Sequence, residues 1–248
     1  IKEIDVMNKR EPEIHPFIFN WRNQFDNAKN TYEDLCKIFH KVSVINSDEN
    51  NQVSEWENVG NDYWFGGQFK KAIEMFTGDI LMHIQADASY DKWDKLIDDA
   101  KKYFSHYEPG VYAPNVDYTW WNSNKADIID KNNILEHTTL KLVCNTDCTV
   151  WFIHKEVLSG VATYIENISE DHLGAGIDTL IIANSMLKKR LVIRDYTHTI
   201  SHPKGTGYNT GVATKQKWEL INSANQKLRR VSRLIDRRAT NLLYQYYI

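Results

Sequence analysis

Asp87 is the first residue placed to do chemistry. It lies in the stretch Gly78 to Tyr90, which reads Gly-Asp-Ile-Leu-Met-His-Ile-Gln-Ala-Asp-Ala-Ser-Tyr. The turn signal Gly78-Asp79 leads into the apolar block Ile80 to Ile84, which has the length of a buried strand. Open α/β sheets bind ligands at the carboxyl ends of their strands. A carboxylate there can hold a divalent cation, and the cation can hold a diphosphate. The competing use of Asp87 is to cap a helix beginning between Ser89 and Asp94. Asp178 is the second such residue. Gly174 and Gly176 before it allow close approach to the backbone, and Asp178 stands at a predicted helix start. It is either a general base or the cap of that helix. Cys36, Cys144 and Cys148 are odd in number and lack zinc-ligand spacing, so they read as free thiols.

The elements that must position these residues alternate in type. Strands are predicted over His15–Trp21, Val42–Ile45 and Ile80–Ile84, with helices over Asn27–His40 and Gln68–Phe76 between them. That order predicts a parallel α/β sheet with right-handed crossovers. A helix over Asp91–Phe104 follows. Leu140–Cys144 and Thr149–Ile153 read as two strands joined through Asn145-Thr146-Asp147, a plausible hairpin with Asp147 as a turn residue. Further on come a helix over His154–Ile165, an apolar helix over Thr179–Lys189 and a strand at Leu191–Asp195. The loop His202–Tyr208 leads to a helical tail from Lys215 to Tyr247. There is no internal repeat and no low-complexity segment.

Composition narrows the class. The 248 residues are 42% hydrophobic and 25% charged, an ordinary globular balance. The net charge of -3 gives no global argument for nucleic acid. No apolar run approaches the ~20 residues of a membrane span and no signal peptide is visible, so a cytoplasmic location is expected. Charge is uneven, however. From Lys215 to Arg238 eight cations face only Glu219 and Asp236. This tail could meet an anionic membrane, a nucleic acid or other domains of a longer chain, or it could be a solvated helix packed on the body. Trp120 and Trp121, in a chain with 8 Trp and 13 Tyr, suit a sugar face or a core.

With these loops placed, the chain resembles inverting nucleotide-sugar glycosyltransferases of the GT-A fold, close to family 2, from about Pro16 to Tyr208. Four pieces carry the resemblance. They are Asn58-x-Gly60 leading to Gly66-Gly67, Gln85-Ala86-Asp87 at the place of the family's Asp-x-Asp, Gly174-Ala175-Gly176-Ile177-Asp178, and Arg194-Asp195-Tyr196 leading to His202–Tyr208. Two departures stand out: Gln85 replaces the first metal-motif Asp, and Ala175 replaces an aromatic.

The resemblance implies a Rossmann-like, mostly parallel central sheet flanked by helices, with a helical C-terminal tail. It implies a glycosyltransferase domain over 1–214, with a nucleotide-sugar half at about 15–90 and an acceptor half at about 91–214, before the basic tail of 215–248. It implies Mn²⁺ or Mg²⁺ held by Asp87 and His202, Asp178 as base, and Lys204 near phosphate. Asn20, Trp21, Asn46, Asp48, Gly66, Gly67 and Gln85 would face the donor. The donor would be a UDP- or GDP-type sugar and the acceptor a glycan or glycoconjugate. The departures leave open a catalytically inactive nucleotide-sugar or glycan-binding module on the same fold. A nicotinamide enzyme lacks support, since no Gly-x-Gly-x-x-Gly follows the first strand.

Overall fold

The computed structural model describes residues 10–117, 123–203 and 208–248. Lys204 and the pair Trp120-Trp121 lie outside the described residues. The first half builds as its hydrophobic patterning dictates. Strands β1 (Ile14–Asn20), β2 (Ser43–Asn46), β3 (Glu57–Asn58) and β4 (Ile80–Gln85) are joined by helices α1 (Phe25–Cys36) and α2 (Phe65–Met75). All pair in parallel, in the order β3-β2-β1-β4. Residues 14–20 of β1 and 80–84 of β4 are buried throughout, as expected of central parallel strands covered on both faces.

Helix α3 (Trp93–Tyr107) then leads to the mixed half: β5 (Val111–Val116), β6 (Asp127–Ile128), β7 (Leu140–Val143), β8 (Val150–His154) and β9 (Val192–Ile200). Among the described residues nine strands form one sheet, β3-β2-β1-β4-β8-β5-β9-β7-β6. β8 runs antiparallel between β4 and β5, while β5 and β9 are parallel.

The expected hairpin between the Leu140 and Thr149 strands does not form. β7 pairs with β9 and β6 instead. Val150 to Ile153 is buried at every position and therefore takes a central slot, whereas Lys141 on β7 is exposed. The connection is held in its crossing path by the Trp151 indole, whose N–H donates to Thr146 Oγ1 and to the Asp147 carbonyl, both at 2.8 Å.

The predicted helix over His154–Ile165 is two short ones, α4 (Lys155–Ser159) and α5 (Ala162–Glu166). Helix α6 (Ile177–Leu187) is buried from Thr179 to Met186, because one face meets the sheet and the other meets the tail. The tail forms α7 (Thr210–Ser223), α8 (Gln226–Asp236) and α9 (Thr240–Leu243). α7 runs across the division expected at 214/215. Leu220, Ile221, Leu228, Val231, Ile235 and Leu243 join the main core, and the Tyr247 hydroxyl donates to the Val143 carbonyl at 2.9 Å. Among the described residues no helix is long and apolar enough to cross a membrane.

Candidate active site

Asp87 sits in a turn past the carboxyl end of β4. Ala86 N–H donates to Phe19 O, and Ala88 N–H donates back to Gln85 O, both at 3.0 Å. The next helix starts at Trp93 with Lys92 in the cap position, so Asp87 caps nothing. Instead the chain pairs. Ser89 and Ser201 form an antiparallel bridge, N–H to O at 2.9 and 3.0 Å, which carries the end of β9 alongside the Asp87 turn. Asp117, just past β5, clamps that segment: its carboxylate accepts from His202 N–H at 3.0 Å and from Ser201 Oγ at 2.9 Å. The result is His202 Nε2 at 3.6 Å from Asp87 Oδ2.

The pair is incomplete as it stands. Asp87 Oδ1 and His202 Nδ1 are shielded from solvent and, among the described residues, have no hydrogen-bond partner. The atoms that face each other are Asp87 Oδ2 and His202 Nε2, so the orphans on the other edges of the two groups leave ligating capacity free on both side chains. Burial raises the Asp87 pKa, His202 opposes that rise, and the Asp147 carboxylate adds to it. A carboxylate and an imidazole in this state fit a divalent cation, which would relieve the like-charge repulsion from Asp147.

Asp178 occupies the first turn of α6. The cap residue there is Gly176, at φ +94° with no side chain to offer, so Asp178 is not the cap. Its Oδ1 accepts a 3.3 Å bond from Thr179 Oγ1. Asp178 shares ground with Asp87 through Cys148. Burial pushes the Cys148 thiol well up, and Asp147, Asp178 and Asp87 all push it further. Tyr208 closes the group: burial, then Cys148, Asp178 and Asp147, raise its phenol pKa. Asp147 also holds its own turn, accepting from Thr149 N–H and Oγ1.

The structure pairs Asp87 with His202, and Asp178 acts with Asp87 on the same Cys148 thiol; Asp117, Asp147, Cys148 and Tyr208 are not among the site residues that the sequence singles out. Asp147 is both the expected turn residue and a wall of the site. Asp117 and Cys148 carried no usable signal, since their roles depend on strands far apart in sequence. The Gln85 amide turns to the Cys148 carbonyl at 3.5 Å.

The residues expected over β1 and β2 do gather, but on each other. Asn20 Nδ2 donates to Asn46 Oδ1 at 2.7 Å. Asn46 Nδ2 donates to Asn51 O and to Asn58 Oδ1, both at 2.8 Å. Asp48 accepts from Asn50 N–H and Asn51 Nδ2. Trp21 packs half-buried against the core. Gly66 and Gly67 face protein: a Cβ at either would lie 2.6 Å from His172 O or 2.4 Å from Glu170 O. Their small size thus serves close packing of α2 on the 169–174 loop, and Gly66 N–H is already bonded to His172 O.

Beyond the Ser89–Ser201 bridge lies a cavity of about 510 Å³, walled by Ser89, Tyr90, Lys92, Lys95, Thr197 and Ser201. His198 is at its base. Its Nε2 is 2.9 Å from Asp99 Oδ2 and its Nδ1 is 2.6 Å from Tyr90 Oη. Ligand atoms of Asp99, Asp195 and His198 lie within 4.8 Å of one another. All three are already partnered, Asp195 by the Tyr112 hydroxyl and Thr197 N–H, so this second grouping reads as a closed network.

No protein-family model matches the chain, and no curated protein matches its sequence. Solved structures do. S. aureus TarS, residues 1–349, superposes with a TM-score of 0.59 at 12% identity, over 95% of this chain and 70% of that one. The mannosyltransferase PcManGT from Pyrobaculum calidifontis, in complex with GDP-Man and Mn²⁺, does so with a TM-score of 0.55 at 12% identity, over 96% and 74%. The class that this likeness defines is one of fold: the chain has the GT-A fold of nucleotide-sugar glycosyltransferases.

Proposed function

We propose that this chain transfers a sugar from a nucleoside diphosphate to an acceptor hydroxyl, with inversion. The observation that carries the reading is the facing pair Asp87 and His202, each with a buried atom lacking a partner, at the ligand-binding end of the sheet. Asp87 and His202 would hold Mn²⁺ or Mg²⁺, which supplies charge neutralisation of the leaving diphosphate. TarS has been solved with UDP-GlcNAc and PcManGT with GDP-Man and Mn²⁺, which supports a UDP- or GDP-type donor here.

In this reading residues 15–90 bind the donor and 91–214 the acceptor. The nucleoside lies over the ends of β1 and β2, where Asn46 and Asp48 act through the loop they hold. Asp178 takes the proton from the acceptor hydroxyl. The acceptor oxygen bonds to the anomeric carbon as the bond to the diphosphate breaks on the opposite face, which inverts the centre. The glycan or glycoconjugate acceptor enters along the hydroxyl-lined cavity beside Ser89 and Ser201.

A second reading, an inactive binding module, draws on Gln85 and Ala175, which replace two expected site residues. Calorimetric titration of a sugar-nucleotide panel with Mn²⁺, run beside transfer and donor-hydrolysis assays, separates the two. Binding with turnover supports the transferase. Binding without turnover on any acceptor supports the module, and no binding at all removes the transferase and a nucleotide-sugar module together.

A further inference from the structure

Helix α8 divides sharply by face. Leu228, Val231, Ser232 and Ile235 are buried against α6 and the core. On the opposite side Lys227, Arg230 and Arg233, with Arg237 at the C-cap just past the helix, are exposed at spacings of three, three and four residues. These four form one stripe about 15 Å long. Among the described residues none of the four pairs with a carboxylate. The nearest acidic residue in sequence, Asp236, is engaged by Lys217 of α7. α9, which packs against α8, presents Leu242, which is 56% exposed.

We propose that this face docks on an anionic lipid surface. Cations in a row draw α8 to negatively charged headgroups, and the exposed Leu242 side chain of the neighbouring helix enters the headgroup boundary. A long polyanion fits less well. The stripe is only about 15 Å long, and it offers no exposed aromatic for base stacking. Attachment of this kind is peripheral, in keeping with the absence of a spanning helix among the described residues. It also has a geometric consequence. α8 packs along α6, and the first turn of α6 carries Asp178, so docking would set the distance between the bilayer and the candidate base.

Co-sedimentation with vesicles tests the proposal without reference to turnover, so its outcome is separable from that of the transferase reading. The full chain should bind phosphatidylcholine vesicles containing about 30% phosphatidylglycerol and ignore pure phosphatidylcholine. The variant K227Q/R230Q/R233Q/R237Q should bind at least about 100-fold more weakly, because each cation near such a surface contributes measurably. Its thermal melt should match the parent, as all four side chains are exposed. The control K29Q/K37Q, on α1 and at its C-cap, should bind like the parent. Raising NaCl from about 0.1 to 0.5 M should release the protein. Failure of the parent to bind anionic vesicles, or equal binding by the α8 variant and the parent, overturns the proposal. Tighter binding of a short RNA than of the vesicles would overturn it in favour of a nucleic-acid face.

Discussion

At the ends of β1 and β2, Asn20, Asn46, Asp48 and Asn58 hydrogen-bond one another and the nearby backbone. One strand away, Asp87 and His202 face each other at 3.6 Å with an unpartnered buried atom apiece. Both groups are polar, both follow strands, and both look alike in sequence. The first is close to complete, with Asn20 Oδ1 its one open atom, and so works as a frame. The second keeps two buried polar atoms open among the described residues. Two histidines on one strand path repeat the contrast. His198 has both ring nitrogens engaged, whereas His202 has Nδ1 open.

The largest expected effect lies on the incomplete side. Asp178→Asn keeps the shape of the residue but cannot accept a proton. Loss of a general base costs roughly 10²- to 10⁴-fold in kcat. Donor affinity, held elsewhere, should stay near that of the parent, and the split between kcat and Kd is the readout. A variant that transfers sugar at the parent rate would move the base to Glu170 or Asp171.

Asp87→Ala should weaken Mn²⁺-dependent nucleotide binding by at least about 100-fold, beyond what loss of an outer-shell partner typically costs. Titration at several pH values sharpens the point. The cation needs the carboxylate, so affinity should fall as pH drops through the raised Asp87 pKa. Stability of the metal-free protein runs the other way. With its folded pKa raised, Asp87 binds its proton more tightly in the folded state. The contribution is present at low pH and lost as pH rises through the raised value. Asp87→Asn should therefore raise the Tm of the metal-free protein at neutral pH while abolishing Mn²⁺ dependence. A lowered Tm would mean that Asp87 belongs to the frame.

Asn46→Ala tests the frame itself. It strips hydrogen bonds from Asn20, Asn51 and Asn58 in a buried setting, for an expected loss of about 2–4 kcal/mol in stability. Chemical denaturation would measure it. Nucleotide affinity, corrected for the folded fraction, should change far less than in Asp87→Ala.

The smallest effect is expected at Gln85. Its amide faces the Cys148 carbonyl rather than the Asp87–His202 pair, so Gln85→Asp should leave Mn²⁺ affinity nearly unchanged. Clear tightening by calorimetry would show that position 85 reaches the cation after all.

The chain's own order of residues determined a good deal. Ile80 to Ile84 reads as a buried strand because an apolar run that short needs cover on both faces. The alternation of strands and helices through β4 dictates parallel pairing, since each crossover helix returns the chain to the same edge. Asp87 and Asp178 were legible because each follows a local signal, a strand end or a glycine-rich helix start.

Periodicity records which faces are apolar but not which strand lies next to which. β7 and β8 are only a few residues apart and do not pair, because the buried run Val150 to Ile153 needs the slot between β4 and β5. The neighbours of Asp87 depend on that assembly. β8 brings Asp147 and Cys148 to it, and the Ser89–Ser201 bridge with the Asp117 clamp brings His202 from more than a hundred residues away. Whether a polar atom is left without a partner is likewise a property of the packed molecule. The same Asn and Asp residues read as site or as frame until tertiary structure shows where their hydrogen bonds end.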